Sequence, residues 1–151
     1  MAERRATVTW EGTLTEGRGR IRTGSGAIVD MPVTWASRIE EPNGMTSPEE
    51  LLAAAEAECY AMVLSNMLSK GGNTPRRLEV TSTCTVEKQD SGLRITRMHL
   101  DVQGDVPGID GDTFERMAQD AEQACPVSNA LRGNVEIDVE ARLRQAASTG
   151  R

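Results

Sequence analysis

The sequence predicts an α+β fold in which antiparallel strands surround one long central helix. Within residues 5–33 and 78–106, apolar and polar side chains alternate in short runs, as they do in strands that bury one face. Residues 48–70 contain no Gly or Pro after the first position and repeat apolar residues near a helical period. The order of three strands, a helix, two strands, two helices and a strand is typical of α+β folds with mainly antiparallel pairing.

Three short strands and a polar loop are predicted before the long helix. Residues 5–11 and 18–23 form a hairpin, and residues 27–33 add a third strand. The second strand carries three basic side chains on one side, which we interpret as a solvated face: Arg18, Arg20 and Arg22. Residues 35–45 form a polar loop that can present Arg38 to a functional site.

Start and stop signals define the helix of residues 48–70. Ser47 is a good N-cap, and Pro48 suits the first helical position. A pair of glycines after Lys70 can end the helix in a left-handed conformation. The first turn is acidic, as the helix dipole favours: Glu49 and Glu50.

The apolar pattern of this helix predicts a buried stripe that includes a thiol. Its members recur near every 3.6 residues and are interrupted only by one Asn: Leu52, Ala55, Cys59, Met62, Val63, Asn66 and Met67. Further leucines lie off the stripe: Leu51, Leu64 and Leu68. Because a surface helix has no need of apolar residues on a second side, we expect a second copy of the chain to bury them in a homodimer.

The strands after the helix are predicted to form a second hairpin. Residues 78–86 and 93–106 each alternate, with a turn at 90–92 between them. The apolar phase shifts inside the second strand, so we expect a bulge near Thr96 and Arg97.

Two helices and a last strand complete the single domain predicted for residues 1–151. Asp112 is predicted to cap a helix over residues 113–124, whose apolar stripe is Phe114, Met117, Ala118 and Ala121. A short helix follows from Pro126, and residues 135–143 alternate as a final strand. The tail, residues 145–151, is expected to fray.

Composition and charge exclude several classes of function. A net charge of -6 without a basic cluster argues against nucleic-acid binding. No apolar run approaches the roughly 20 residues of a membrane span, and no signal-peptide pattern follows Met1, so we expect a cytoplasmic protein without a membrane partner. Three cysteines in such a compartment do not indicate a structural disulfide framework.

The cysteines are the candidate reactive groups. Cys84 alternates along a strand and is interpreted as a small buried hydrophobe. Cys125 precedes Pro126, where the N-cap of the short helix would stabilise a thiolate. With Cys59 it could form a reversible disulfide, as in a thiol peroxidase or a redox sensor. The sole histidine, His99, is predicted to be exposed, which excludes a Cys–His protease, and no Cys or His pair has metal-ligand spacing.

A thiolate at Cys59 would need a cation, because the residue lies well beyond the first helical turn, to which the dipole effect is confined. Arg38 is the first candidate, and the basic residues of the second strand are the alternatives: Arg18, Arg20 and Arg22. Glu49 or Glu50 could hold the guanidinium. Glu49 lies roughly 15 Å along the helix axis from Cys59, so either an Arg bridges the gap or Glu49 serves the partner chain's Cys59.

Several segments together resemble the OsmC/Ohr family, the osmotically inducible and organic hydroperoxide resistance proteins. Residues 47–59, SPEELLAAAEAEC, resemble the helix that carries the family's first cysteine. Residues 106–110, VPGID, and 124–131, ACPVSNAL, resemble its second cysteine segment. Residues 6–12 and 17–19 resemble the opening of the OsmC branch, and the likeness extends over essentially the whole chain.

The resemblance implies an OsmC-like, intertwined homodimer that reduces organic hydroperoxides, and hydrogen peroxide more weakly. Cys59 would be the peroxidatic cysteine and Cys125 the resolving one, with Arg38 and Glu49 as the activating pair. Arg18 or Arg20 could replace Arg38. The family implies no metal, haem or flavin, and a dithiol reductant such as a lipoylated protein. The alternative is a non-enzymatic redox sensor or stress-response binding protein on the same scaffold.

Overall fold

The computed structural model describes residues 1–144. The chain divides into two compact units, Met1–Leu51 and the part that begins at Leu52. The tail predicted to fray, residues 145–151, lies outside the described residues.

The first unit contains a three-stranded antiparallel sheet. Its strands are β1 (Ala6–Glu11), β2 (Arg18–Thr23) and β3 (Met31–Val33), in that order across the sheet. The register pairs Ala6 with Thr23, which confirms the predicted hairpin. β3 is shorter than predicted because Asp30 has a φ of 51°, a left-handed conformation that cannot continue a strand.

A short helix, α1 (Trp35–Ile39), occupies part of the segment predicted to be a loop. The sequence signal that was missed is a capping box. The Thr34 side chain accepts from the Ser37 amide, and the Ser37 side chain accepts from the Thr34 amide. Arg38 therefore projects from the last turn of a helix and not from an irregular loop.

The long helix α2 (Pro48–Lys70) has the predicted bounds. Ser47 Oγ accepts a hydrogen bond from the Glu50 amide at 3.1 Å, as expected of the N-cap. Gly72 has a φ of 86° just after the last turn, as expected of the stop signal. By length and composition alone α2 could cross a membrane, a test that core helices of soluble proteins also pass.

The buried face of α2 differs from the predicted stripe. Four residues at intervals of four are fully buried: Glu56, Tyr60, Leu64 and Leu68. Three members of the predicted stripe are exposed instead: Ala55, Met62 and Asn66. The apolar pattern missed this face because one of its four residues, Glu56, is polar. Leu64 and Leu68, assigned to a subunit contact, belong to the core of this chain.

The second unit contains a mixed sheet. β4 (Arg77–Gln89) and β5 (Gly92–Asp105) are antiparallel, and their register shifts between Thr85 and Val86. The shift leaves Thr96 as the extra residue on β5, which confirms the predicted bulge.

The chain then crosses over the sheet through α3 (Gly111–Ala124) and α4 (Pro126–Leu131). The cap of α3 is Asp110, whose side chain accepts from the Thr113 amide, and not Asp112 as predicted. The last strand, β6 (Glu136–Leu143), lies beside β5 and runs parallel to it, so antiparallel pairing does not extend to this pair. A helical crossover permits this direction because it returns the chain to the same end of the sheet.

A close approach between β5 and α3 gives a test of the packing. A Cβ atom added at Gly104 would lie 2.5 Å from Cζ of the buried Phe114. We expect Gly104→Ala to lower the free energy of unfolding by about 1–3 kcal/mol, because the ring must move in a filled core. Urea unfolding followed by circular dichroism measures this loss.

The matched control is Gly111→Ala at the start of α3. An added Cβ there meets nothing within 4 Å, so the free energy of unfolding should change by less than about 0.5 kcal/mol or rise slightly. Equal effects of the two substitutions would contradict the close contact of Gly104 with Phe114.

Candidate functional site

The structure brings the thiols of Cys59 and Cys125 together in the second unit. Cys59 lies on α2 and Cys125 directly precedes α4, and the two side chains are within hydrogen-bonding reach of each other. Both thiols are free. Cys125 is fully buried, whereas Cys59 keeps partial access to solvent. This asymmetry suits a pair in which Cys59 meets an incoming substrate and Cys125 reacts afterwards.

The surroundings of Cys59 within this unit do not favour its thiolate. Burial raises the pKa of the Cys59 thiol above its ordinary value, and neighbouring Cys125 and Glu58 raise it further. A hydrogen bond from the backbone N–H of Val127 acts in the opposite direction and lowers the pKa. Since the net direction is upward, a reactive thiolate near neutral pH requires a cation in addition to these neighbours.

Cys125 occupies the N-cap of α4, as predicted, but it does not use the predicted hydrogen bond. Its side chain makes no capping contact with the helix amides. The first turn of α4 instead serves Cys59, through the N–H of Val127. The capping hydrogen bond expected at Cys125 is therefore absent, and the Cys125 side chain contacts Cys59 instead.

Neither Cys84 nor His99 joins the thiol pair. Cys84 is half-buried on β4, where it lies opposite Met98 of β5. His99 was predicted to be exposed, but it is half-buried and its Nδ1 is paired with the Asp138 carboxylate. Within residues 1–144, no three His, Cys, Asp or Glu side chains are grouped as metal ligands.

A second cluster, in the first unit, joins Arg38 of α1 to Glu49 in the first turn of α2. Arg38 Nη2 lies 2.6 Å from Glu49 Oε1, and Arg38 Nε contacts both carboxylate oxygens at 3.1 and 3.3 Å. The guanidinium carbon also lies 5.7 Å from the centre of the Trp35 ring. Glu49 thus fixes the Nε and Nη2 edge of Arg38 and leaves Nη1 outside this contact.

The Glu49 carboxylate is ionised in this pairing. Burial works to raise the pKa of Glu49, which is only 7% exposed, but hydrogen bonds from Arg38, its own backbone amide and Ser47 outweigh burial and lower it. An ionised, buried carboxylate held by two guanidinium nitrogens is a rigid arrangement. The ion pair with Glu49 thus fixes the position of the Arg38 guanidinium without any bound ligand.

The alternative residues are placed less favourably. Arg20 pairs with Asp30 on the surface of the β2–β3 sheet, and Arg18 is exposed. Glu50 is exposed and its Oε1 accepts a hydrogen bond from Thr46 Oγ1 at 2.8 Å. Only Arg38 and Glu49 form a partly buried ion pair among these five candidates.

An apolar cavity of about 230 Å³ adjoins Arg38 in the first unit. Aliphatic and aromatic side chains form most of its wall, among them Val8, Trp10, Leu14, Ile21, Val33 and Trp35. The guanidinium is the charged group at this wall. Such a cavity suits a ligand with an alkyl or aryl group and one polar end.

Sequence reasoning missed two buried carboxyls near the thiol pair. Glu56 is fully buried on α2, and Glu122 is 4% exposed near the end of α3. Burial raises the pKa of Glu56, and nearby Glu122 raises it further, against hydrogen bonds from Ser82 and Ser128. A charged residue on the face shared by Tyr60, Leu64 and Leu68 is the signal that could have identified Glu56.

Comparison with known proteins shows the family of the chain. The sequence model of the family described as OsmC-like protein matches residues 41–140, which include both thiols of the pair and Glu49. The chain belongs to the OsmC-like family. This confirms the resemblance inferred from the two cysteine segments. The matched region begins after Arg38, so the family model does not identify the arginine.

Two curated relatives and one solved structure illustrate the similarity of this OsmC-like protein. It is 39% identical to Peroxiredoxin OsmC of Escherichia coli over 87% of this chain and 91% of that protein. It is 30% identical to organic hydroperoxide resistance protein-like 1 of Staphylococcus saprophyticus, over 84% and 89%. The crystal structure of the organic hydroperoxide resistance protein OhrB of Bacillus subtilis matches with a TM-score of 0.72 and 25% identity, over 91% and 98%.

Proposed function

We propose that this OsmC-like protein reduces organic hydroperoxides to alcohols, and hydrogen peroxide more weakly, with Cys59 as the peroxidatic and Cys125 as the resolving cysteine. The family and the named relatives support the general class, a cysteine-based peroxidase. The observation that carries the finer proposal is the contact between a partly accessible Cys59 and a buried Cys125.

In the first step, the Cys59 thiolate attacks the distal oxygen of the hydroperoxide. An S–O bond forms and the O–O bond breaks, so the sulfur is oxidised to a sulfenic acid and the peroxide is reduced. The leaving alkoxide takes up a proton and departs as the alcohol. Arg38, held in place by Glu49, supplies the positive charge that stabilises both the thiolate and the developing alkoxide.

In the second step, Cys125 attacks the sulfenic sulfur of Cys59. An S–S bond forms, and the hydroxyl leaves as water with the proton of the Cys125 thiol. Because the two side chains are already adjacent, this step needs little movement of the backbone. A dithiol reductant, such as a lipoylated protein, then reduces the disulfide by two thiol–disulfide exchanges. No metal, haem or flavin takes part in this scheme.

The preference for organic peroxides is proposed from the cavity beside Arg38. Its apolar wall can bind an alkyl or aryl group, whereas hydrogen peroxide gains nothing from such a surface. Met62 and Met67 on α2 do not belong to this wall, since Met67 packs on the core and Met62 is 60% exposed in a single chain.

An intertwined homodimer in the cytoplasm completes the proposal. Apolar side chains are exposed on the first unit and on α2, including Val8, Trp10, Leu14 and Met62. Such exposure on a single chain favours burial by a second copy. Leu64 and Leu68 are buried in the core of a single chain and are not available to a dimer interface, whereas these exposed side chains are.

A steady-state assay tests the proposed function. With cumene hydroperoxide and dihydrolipoamide, we expect many turnovers per protein chain, and slower turnover with hydrogen peroxide. Mass spectrometry of the protein after one equivalent of peroxide, without reductant, should show a Cys59–Cys125 disulfide. Consumption of a single equivalent despite excess dithiol would support a redox sensor and contradict the enzyme.

A further inference from the structure

A buried hydrogen-bonded bridge connects the two segments that carry the reactive thiols. Glu56 lies one helical turn before Cys59 on α2, and Ser128 lies one turn after Cys125 on α4. Ser128 Oγ donates to Glu56 Oε1 at 3.1 Å, and both residues are fully buried. The bridge therefore links the same two segments as the contact between the two sulfurs, three residues away from each cysteine.

The other oxygen of Glu56 has a different partner. Ser82 Oγ, on β4, donates to Glu56 Oε2 at 3.0 Å. One carboxyl group thus joins α2 to two elements: α4, which directly follows Cys125, and β4, which carries neither member of the thiol pair. The contact with Ser128 thus links Glu56 to the segment of Cys125, and the contact with Ser82 links it to the sheet.

A carboxyl group at this buried position is energetically unfavourable if its only role is to fill space in the core. Removing it from water is unfavourable unless its oxygens are hydrogen-bonded, and an aliphatic side chain of similar volume would avoid that cost. What the carboxyl provides is direction, because each hydrogen bond fixes the distance and angle of its partner. Its neighbour Glu122 contacts Arg132, the residue that follows α4, with Arg132 Nη2 2.7 Å from Glu122 Oε1.

We infer that Glu56 is a positioning residue that holds Cys125 against Cys59 through its hydrogen bond with Ser128. The bridge raises the effective concentration of one thiol at the other, and so favours formation of their disulfide. In the peroxidase cycle, the bridge speeds the attack of Cys125 on the Cys59 sulfenic acid. This part of the inference rests on the proposed function. Disulfide equilibrium itself does not depend on that function.

The two serines provide a matched pair of variants, because each loses one hydroxyl that donates to the same carboxyl. Equilibration with reduced and oxidised dithiothreitol measures the effective concentration of the thiol pair. We expect Ser128→Ala to lower it about tenfold, the equivalent of one lost hydrogen bond, and Ser82→Ala to change it less than about twofold. Equal effects of the two variants would overturn the inference and leave Glu56 a packing residue.

Substitution of Glu56 itself covers the case in which Ser128→Ala does not fold. Glu56→Gln keeps an oxygen that can accept from Ser128, so the effective concentration should stay within about twofold of wild type. Glu56→Ala should lower it about tenfold. An unchanged value in folded Glu56→Ala contradicts the inference, as does an equal loss in Glu56→Gln.

Trapping of sulfenic acid with dimedone after a peroxide pulse separates the inference from the proposed function. Longer-lived sulfenic acid in Ser128→Ala than in Ser82→Ala supports both. A wild-type protein that forms the disulfide in dithiothreitol buffers but does not consume peroxide contradicts the peroxidase and leaves the positioning role supported by the variants.

Discussion

Replacement of Cys59 with Ser is expected to reduce hydroperoxide turnover at least about 10³-fold, because the hydroxyl cannot replace a thiolate as the nucleophile. The change removes one polarisable atom from a partly exposed position, so the fold should be retained. The assay follows consumption of cumene hydroperoxide with dihydrolipoamide. Without Cys59 no disulfide can form with Cys125, and mass spectrometry after peroxide should show an unmodified Cys125 because that thiol is fully buried.

The third cysteine provides the control for this prediction. Cys84→Ser makes the same change at a residue of β4 that is not among the neighbours that shift the pKa of Cys59, and turnover should stay within about twofold of wild type. Retention of turnover in Cys59→Ser would contradict the catalytic assignment. Loss of turnover in Cys84→Ser would contradict the interpretation of Cys84 as a residue without a role in catalysis.

Local signals explain which parts of the fold could be predicted. The bounds of α2 followed from Ser47, Pro48 and the glycines after Lys70, all of which act within one turn of the helix ends. The bulge at Thr96 followed from a change of phase within one strand. Such signals depend on neighbouring residues alone, so they can be recognised in the sequence without knowledge of tertiary contacts.

Long-range contacts explain the failures. Glu56 faces the core because Ser82 and Ser128, 26 and 72 residues further along the chain, supply its hydrogen bonds. Helical periodicity contains no information about such distant partners. The predicted stripe therefore lay on a different side of α2 from Tyr60. The direction of β6 was missed for the same reason, since an alternating strand can pair with either orientation.

The candidate site was predicted by a combination of both kinds of information. Thiol chemistry suggested that Cys59 and Cys125 could pair, and the resemblance of the two cysteine segments to a family supplied their separate roles. Chemistry indicated an arginine, with Arg38 as the first candidate, held by Glu49 or Glu50, and the resemblance to the family selected the pair of Arg38 and Glu49 that the structure contains. The α1 helix that positions Arg38 was not predicted, since the capping box of Thr34 and Ser37 was overlooked.

Arg38→Met is expected to lower kcat/KM for cumene hydroperoxide about 10²–10³-fold, the usual cost of removing one charged donor from a developing anion. Methionine keeps much of the apolar stem against Trp35 and removes the charge that Glu49 holds. Burial raises the pKa of the Cys59 thiol. In the proposed mechanism the charge of Arg38 opposes this rise, so its loss should raise the pKa of the thiol. Since the thiolate carries the reaction, the rise of kcat/KM with pH should move to higher pH in the variant.

The matched control is Arg20→Met, which removes an equal charge from β2. Arg20 is paired with Asp30 on the exposed surface of its sheet, so kcat/KM should stay within about twofold of wild type and its pH profile should not move. Arg38→Lys should recover part of the activity, because an ammonium keeps the charge but cannot make the two-nitrogen contact with Glu49. A large loss in Arg20→Met together with a small one in Arg38→Met would assign the activating charge to β2.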